Sequence, residues 1–361
     1  MKFGLRIFTI CLLMATLFLP LSRGQAQDRE LVLLDTDMVE LFDDGVAMMM
    51  LAEAPNIKLI GVTTSTGNSW AKDGAVSAIR QLEGIDMKDV PVAIGDTPDK
   101  IRKRLKNLKK ERDKFGGGFD LYIGAAAYQE PEVDWIDIYK SKYGHTPLMK
   151  PVAENAVDFM IRLIKENPEE VTIVEIGPQT NLAAAIKKAP EIIPLIKRVV
   201  YMGGAFFQNG NVTPAAEFNI WFDPEAAKKV IRAPFREVVI VPLDACEKIH
   251  LTRAEFNKLC QKIKSPIFSD MVENMTKRRD IFAGSDRTFI WDILAAAVTI
   301  DHSIVNESII MPVDINDVYS PSYGETLAYR RAPQGARSAR LILKVDQEKI
   351  ENMLEDLFSK M

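Results

Sequence analysis

Short apolar runs alternate along the chain with stretches in which apolar positions recur every three or four residues. The runs are LVLLD (31–35), IKLIGVTT (57–64), VPVAIG (90–95), VTIVEIG (171–177), RVVYMGG (198–204) and VVIVPLD (238–244). Their length and β-branched content predict strands buried on both faces. Between them, GAVSAIRQLEG (74–84) and NLAAAIKKAPEII (181–193) carry a helical period. This alternation implies crossover connections and an open, mostly parallel α/β sheet flanked by helices. Each run ends in polar or glycine-rich sequence: DTD, TTSTGN, GD, GPQTN, MGGAFFQNGN and LDACE. Ligands of open α/β sheets bind beyond the carboxyl ends of the strands, so these tails mark the expected site. Residues 96–148 break the rhythm with a charged stretch, three glycines at 116–118 and a Pro- and Tyr-containing segment. They read as an insertion or lid within a single domain spanning 27–361. Within them IRKRLKNLKKERDK (101–114) predicts a solvated amphipathic helix.

With 361 residues, 47% of them hydrophobic, the chain can bury a large core. Residues 1–26 have the pattern of a cleaved secretory signal: Lys2 and Arg6, the apolar stretch IFTICLLMATLFLPL, and a small-x-small site ending at Ala26. The apolar stretch is short for a bilayer span, and no other segment is long enough. The expectation is therefore an exported protein, periplasmic or extracellular, with no membrane attachment after cleavage. Loss of Lys2, Arg6 and Arg23 takes the formal charge from -4 to -7, which argues against nucleic acid as a partner. Cys246 and Cys260 remain, too few in so large a domain for a disulfide framework, although an oxidising compartment would let them pair.

The first strand run continues into an unusual density of acid, LVLLDTDMVELFDDGVAMMML (31–51), with Asp35, Asp37, Asp43 and Asp44 inside ten positions. One or two could cap a helix. Four like charges so close raise one another's pKa unless a cation or hydrogen-bond donors offset them. A hard, oxygen-seeking ion such as calcium or magnesium is the economical explanation. The DTDMV segment also fits the short DxDx[TV] pattern of haloacid dehalogenase-like phosphatases, but that pattern is frequent and does not account for the second carboxylate pair.

Taken together, the motifs resemble those of the inosine-uridine-preferring nucleoside hydrolases. The family's DTDPGxDDAxAL corresponds to DTDMVELFDDGVAMMML, with two additional residues between Asp37 and Asp43. GVTTSTGN (61–68), GPQTNLA (177–183), MGGAFFQNGNVTPAAEFNIWFDPEAA (202–227) and WDILAAAVTID (291–301) look like the later motifs in order. The resemblance implies a Rossmann-like nucleoside hydrolase fold, hydrolysis of nucleosides to base and ribose, a Ca2+ cofactor and a homo-oligomer. It also implies metal ligation by the Asp37, Asp44 and Asp292 side chains and the Thr180 carbonyl, with Asp37 as general base toward a metal-bound water. Asp43, Asn68 and Asn219 would hold ribose hydroxyls, Asn211 and Glu217 the 5′ end, and Met202 would pack beneath the sugar. Asp35 would orient the loop.

Many members of that family have a histidine where this chain has Trp291, directly before Asp292. The three histidines, His145, His250 and His302, lie outside every motif and read as structural or surface residues rather than catalytic ones. A tryptophan there is similar to the purine-specific branch, in which the base stacks between aromatic rings, and an indole offers a purine a large flat face. Trp70, Phe119, Tyr122 and Trp135 are candidates for the second ring. The two-residue lengthening is expected to bring Glu40 beside the metal. A protein that kept the site but only binds nucleosides or ribose is the competing expectation, because fold and motifs do not guarantee turnover.

Overall fold

The computed structural model describes residues 29–41, 43–115, 123–278, 281, 282 and 284–361. The expected signal segment, Phe119 and Tyr122 lie outside these. Among the described residues no helix is long and apolar enough to cross a membrane.

The six predicted strand runs form β1 (Glu30–Thr36), β2 (Ile57–Thr64), β3 (Val92–Ile94), β4 (Val171–Glu175), β5 (Ile196–Met202) and β6 (Val238–Val241). Two short strands, β7 (His250–Thr252) and β8 (Arg287–Phe289), pair with each other apart from the main sheet. β9 (Val305–Ile315), β10 (Thr326–Ala328) and β11 (Arg337–Val345) complete the main sheet, whose order is β10-β9-β11-β6-β5-β4-β1-β2-β3. From β3 to β11 all pairings are parallel, and β9 and β10 add an antiparallel wing.

Side chains of a strand alternate between faces, and both faces here are apolar. Val32, Leu34, Val174, Ile176, Val200 and Met202 join one buried cluster, shared with helices Asp44–Glu53, Ala71–Gly84, Trp291–Ile300 and Gln347–Lys360. Leu33, Ile173, Val199 and Tyr201 join the other, against helices Ala156–Glu166, Thr180–Lys188 and Pro224–Arg232. Helix Asp44–Glu53 is buried from Asp44 to Leu51, all round its circumference, because it lies between the sheet and helix Trp291–Ile300. Truncating Met48 or Met49, both fully buried, would cost ~2–5 kcal/mol as a cavity.

The chain steps outward from β1 through β2 to β3, then returns to the other side of β1 and steps through β4, β5 and β6. The order therefore reverses between β1 and β4, where the loops that follow them part and leave a crevice.

Residues 101–114 do not form a single solvated helix. Helices Asp99–Leu105 and Leu108–Phe115 replace the predicted one, with Ile101, Leu108 and Glu111 buried. Arg104 turns inward, its guanidinium 4.5 Å from the Trp221 ring and 2.9 Å from Glu111. Helix Trp135–Tyr143 packs against the main core, with Tyr139 buried and its hydroxyl donating to Glu83 Oε2 at 2.5 Å. Cys246 and Cys260 are free thiols.

Candidate active site

A cavity of about 200 Å³ opens at the crevice. The β1 loop supplies Val39, Asp43 and Asp44, the β2 loop Asn68, and Ile176 stands just after β4. Met202 ends β5; Asn211, Val212, Glu217, Phe218 and Asn219 follow it; and Trp291 and Asp292 begin helix Trp291–Ile300. Most residues singled out from sequence thus meet in one place, although they come from segments up to 250 positions apart.

Asp37 lies behind this lining, fully buried. Its Oδ2 accepts the Asn68 backbone N–H at 2.6 Å, and the Asn68 side-chain amide spans Asp37 at 3.2 Å and Asp44 at 3.3 Å. Thr36 donates its hydroxyl to Asp44 at 2.6 Å. Two glycines make room for Asp37: a Cβ on Gly67 would sit 2.2 Å from its Oδ2, and one on Gly177 2.7 Å from its backbone nitrogen. Thr180 does not line the cavity; it begins helix Thr180–Lys188 and donates its hydroxyl to Asp223 at 3.0 Å.

Asp43 has a second task. Its Oδ1 accepts the backbone N–H groups of Asp292 at 2.8 Å and Ile293 at 3.3 Å, capping a helix 250 residues away in sequence. Its backbone is held at φ 60°, ψ -89°, and Leu41 is also at φ 60°. Such conformations cost ~1–3 kcal/mol each outside glycine and persist only where the surroundings enforce them.

The electrostatics of the cavity are one-sided. Burial, then repulsion from Asp44, push Asp43 up to about 8 and Asp37 well above the ordinary carboxylate range. Burial takes Asp44 to about 6. Asp292 is raised by burial and then by Asp43, Asp44, Asp37 and Glu217. Among the described residues, no ion pair involves any of these four aspartates.

No three of the described side chains form a closed chelate, since Asn68, Thr36 and the 292–293 backbone hold several of the oxygens. The donor set nevertheless suits calcium: hard carboxylate oxygens, removed from water, with no basic side chain to neutralise them. Neither histidine nor cysteine is found in the lining among the described residues, and the Met202 sulfur is its one soft atom there.

Below this layer, Asp35 accepts hydrogen bonds from Thr63 at 2.6 Å and Asn181 at 2.8 Å. It faces Glu175 across the β1–β4 pair. Burial and then Asp35 raise Glu175 well above its ordinary value. This arrangement braces the β1 loop from within the sheet.

The remaining candidates hold backbone as well as facing the cavity. Glu217, pushed by burial to about 7, accepts the N–H groups of Gly204 at 3.0 Å, Asn219 at 2.9 Å and Ile220 at 3.2 Å. Asn211 accepts the Phe218 N–H at 3.0 Å. The Asn219 amide reaches the carbonyl of Met202 at 3.2 Å and its sulfur at 3.4 Å.

Trp291 lines the cavity half-buried, its ring centroid 5.7 Å from that of Phe289. Trp70 is buried with its indole N–H on the Tyr128 carbonyl at 3.2 Å, and Trp135 packs on the core, so neither faces Trp291 across the cavity. Phe218 is the aromatic lining residue that sequence reasoning missed, although it lies inside the AEFNIW segment between two residues that were singled out. None of the three histidines lines the cavity: His145 and His302 are exposed, and His250 is in β7.

An open, mostly parallel sheet with an acidic, aromatic-walled cavity at its strand-order reversal defines an α/β protein with a concave site of a size for a small polar ligand. A model of the inosine-uridine preferring nucleoside hydrolases matches residues 32–352, and the chain belongs to that family. A probable uridine nucleosidase 1 of Oryza sativa subsp. japonica is 36% identical over 203 residues, 55% of this chain and 54% of that protein. The pyrimidine-specific ribonucleoside hydrolase RihA of Enterobacter sp. (strain 638) is 32% identical over 231 residues, 64% of this chain and 66% of that protein. Matches to these two curated relatives thus span between about half and two thirds of their length. Among solved structures, a purine-preferring ribonucleoside hydrolase from Gardnerella vaginalis aligns with a TM-score of 0.71 at 26% identity, covering 91% of this chain and 98% of that one. An inosine-uridine preferring nucleoside hydrolase from Bacillus anthracis shares the fold, with a TM-score of 0.70 at 20% identity over 92% of this chain and 100% of that one.

Proposed function

We propose that the protein hydrolyses the N-glycosidic bond of ribonucleosides, releasing the base and ribose, with calcium held at the aspartate cluster. The observation that carries this reading is the set of buried aspartates, paired with no basic side chain among the described residues, at the sheet's switch point in a chain of this family. Asp37, Asp44 and Asp292 would hold the ion, with the Thr180 carbonyl as the ligand that the family resemblance adds. When bound, it fixes the attacking water and lowers its pKa.

The rest is the work of the chain's own residues. Asp37, whose affinity for protons is raised by burial, would serve as general base toward the attacking water. The transition state of glycosidic cleavage resembles an oxocarbenium ion, and the surrounding carboxylates stabilise its positive charge. Asp43, Asn68 and Asn219 orient the ribose hydroxyls, Asn211 and Glu217 face the 5′ end, and Met202 floors the sugar. Trp291 presents its ring to the leaving base.

Purine nucleosides are the favoured substrates in this reading, because the lining offers an indole and no imidazole acid. Relatives carry both kinds of name, uridine or pyrimidine and purine, so inosine and uridine must be compared directly. Release of reducing sugar from inosine, faster than from uridine and abolished by a chelator, is expected. Binding of both nucleosides without any turnover would instead make the protein a nucleoside-binding member of the fold. Export to the periplasm or outside the cell, and assembly as a homo-oligomer, complete the proposal.

A further inference from the structure

The β1 loop is two residues longer than the family pattern, and the structure shows what the extra length does. Glu40 does not join the aspartates. It turns to helix Trp135–Tyr143, where the Tyr143 hydroxyl donates to its Oε1 at 2.5 Å and the Lys142 ammonium lies 3.3 Å from its Oε2. Lys142 also donates to Ser77 at 2.9 Å, tying in helix Ala71–Gly84. From that second helix Gln81 accepts the Leu41 N–H at 2.7 Å and donates to the Ser77 carbonyl at 3.0 Å. The side chains of Glu40 and Lys142 are 16% and 23% exposed, so water competes little for the pair.

Tyr143 is itself held, its ring edge-on to Tyr139 at 4.8 Å with the Arg80 guanidinium 5.3 Å above it. Burial, and then the Glu40 charge, raise the Tyr143 hydroxyl well above its ordinary value, so it remains a donor throughout the neutral range. Immediately after Glu40 come the two residues at φ 60°, Leu41 and Asp43. A backbone in that region reverts unless something outside the loop fixes it.

We propose that Glu40 is a positioning residue: fastened by Tyr143 and Lys142, it holds the lengthened loop in the strained form that presents Asp43 and Asp44 to the cavity. Helix Trp135–Tyr143 then serves as the buttress of the acidic loop. The kinetic consequence rests on the proposed hydrolase reading; the structural one does not.

Three full-length variants test this: Glu40→Ala, Glu40→Gln and Tyr143→Phe. Amide exchange across residues 38–46 is followed in chelator-treated protein, calcium affinity by titration calorimetry, and kcat and KM on inosine. A charge-assisted, largely buried hydrogen bond is lost in Glu40→Ala and Tyr143→Phe, so exchange in the loop should rise about tenfold or more. Calcium affinity and kcat should each fall about tenfold, KM should change less, and melting temperature should stay within a few degrees. Glu40→Gln keeps an acceptor for Tyr143 and should recover most of the loss.

Unchanged exchange, calcium affinity and kcat in both Glu40→Ala and Tyr143→Phe would overturn the proposal. So would a lower melting temperature with those three unchanged, since that marks a merely structural contact. If Glu40→Ala does not fold, Tyr143→Phe decides, because it removes one hydroxyl. Faster loop exchange in the variants of a parent protein that binds no calcium and cleaves no nucleoside would sink the hydrolase reading and leave the positioning role standing.

Discussion

Replacing Asp43 by asparagine should stabilise the metal-free protein while crippling it. The asparagine carbonyl can still accept the N–H groups of Asp292 and Ile293, and asparagine tolerates positive φ better than most residues. What disappears is a carboxyl that must either ionise beside Asp44 or hold a proton that the unfolded chain gives up. The ordinary carboxyl pKa of 3.8 is raised to about 8 in the fold, so the folded protein keeps a proton that the unfolded chain gives up. The stability that the wild type has below pH 3.8 is therefore lost progressively as pH rises toward 8, and the neutral variant escapes that loss. At pH 7 the penalty spans about three pH units at 1.36 kcal/mol each, roughly 4 kcal/mol if Asp43 alone carried it. Sharing with Asp37, Asp44 and Asp292 makes this a ceiling. With ~2.1 cal/mol/K of unfolding entropy per residue over some 330 residues, it corresponds to about 6 °C in melting temperature. Thermal melts of wild type and Asp43→Asn in chelator, from pH 4 to 8, should coincide at the acid end and separate by ~3–6 °C near neutrality. Asp43→Ala, which also loses the cap, should melt below Asp43→Asn by ~1–2 kcal/mol. Nucleoside hydrolysis by Asp43→Asn should fall by about two orders of magnitude or more, as for loss of a group that acts on developing charge. If Asp43→Asn melts at or below the wild type at pH 7 to 8, the cluster is not under repulsion and the electrostatic case for a cation collapses.

Other outcomes follow from the geometry. Gly67→Ala places a methyl group 2.2 Å from Asp37 Oδ2; calorimetry should show at least a tenfold loss of calcium affinity with little change in circular dichroism, and unchanged affinity would mean that Asp37 is not a ligand. Trp291→Ala should reduce kcat/KM for inosine by ~10–100-fold and for uridine by less, as loss of a stacking face implies; equal losses would remove the basis for a purine preference.

The central strands were legible because β1, β2 and β4 to β6 place apolar side chains in the core on both faces and appear in sequence as predominantly apolar runs. β9 and β11 were not, since VNESIIMPVDI and RSARLILKV mix charged residues and a proline into partly exposed strands of the sheet's outer part. The helix predicted over 101–114 divides at Lys106 and Asn107, where Arg104 is drawn inward to Trp221, a partner more than 100 residues away. Of the site, the aspartates, Asn68, Met202, Glu217, Asn219 and Trp291 stood out because motifs concentrate them. Their further contacts did not: Asp43 capping a distant helix, and Glu40 turning to Tyr143 and away from the aspartates, depend on segments that only the folded chain brings together.

The most direct test of the central claim is hydrolysis of inosine and uridine by chelator-stripped protein as calcium is titrated back, with Asp37→Asn, Asp44→Asn and Asp292→Asn alongside. Activity should be absent without calcium, return with saturation at one equivalent per chain, and stay lost in all three variants. Undiminished turnover in the stripped protein, or saturating calcium with neither nucleoside cleaved, would contradict it.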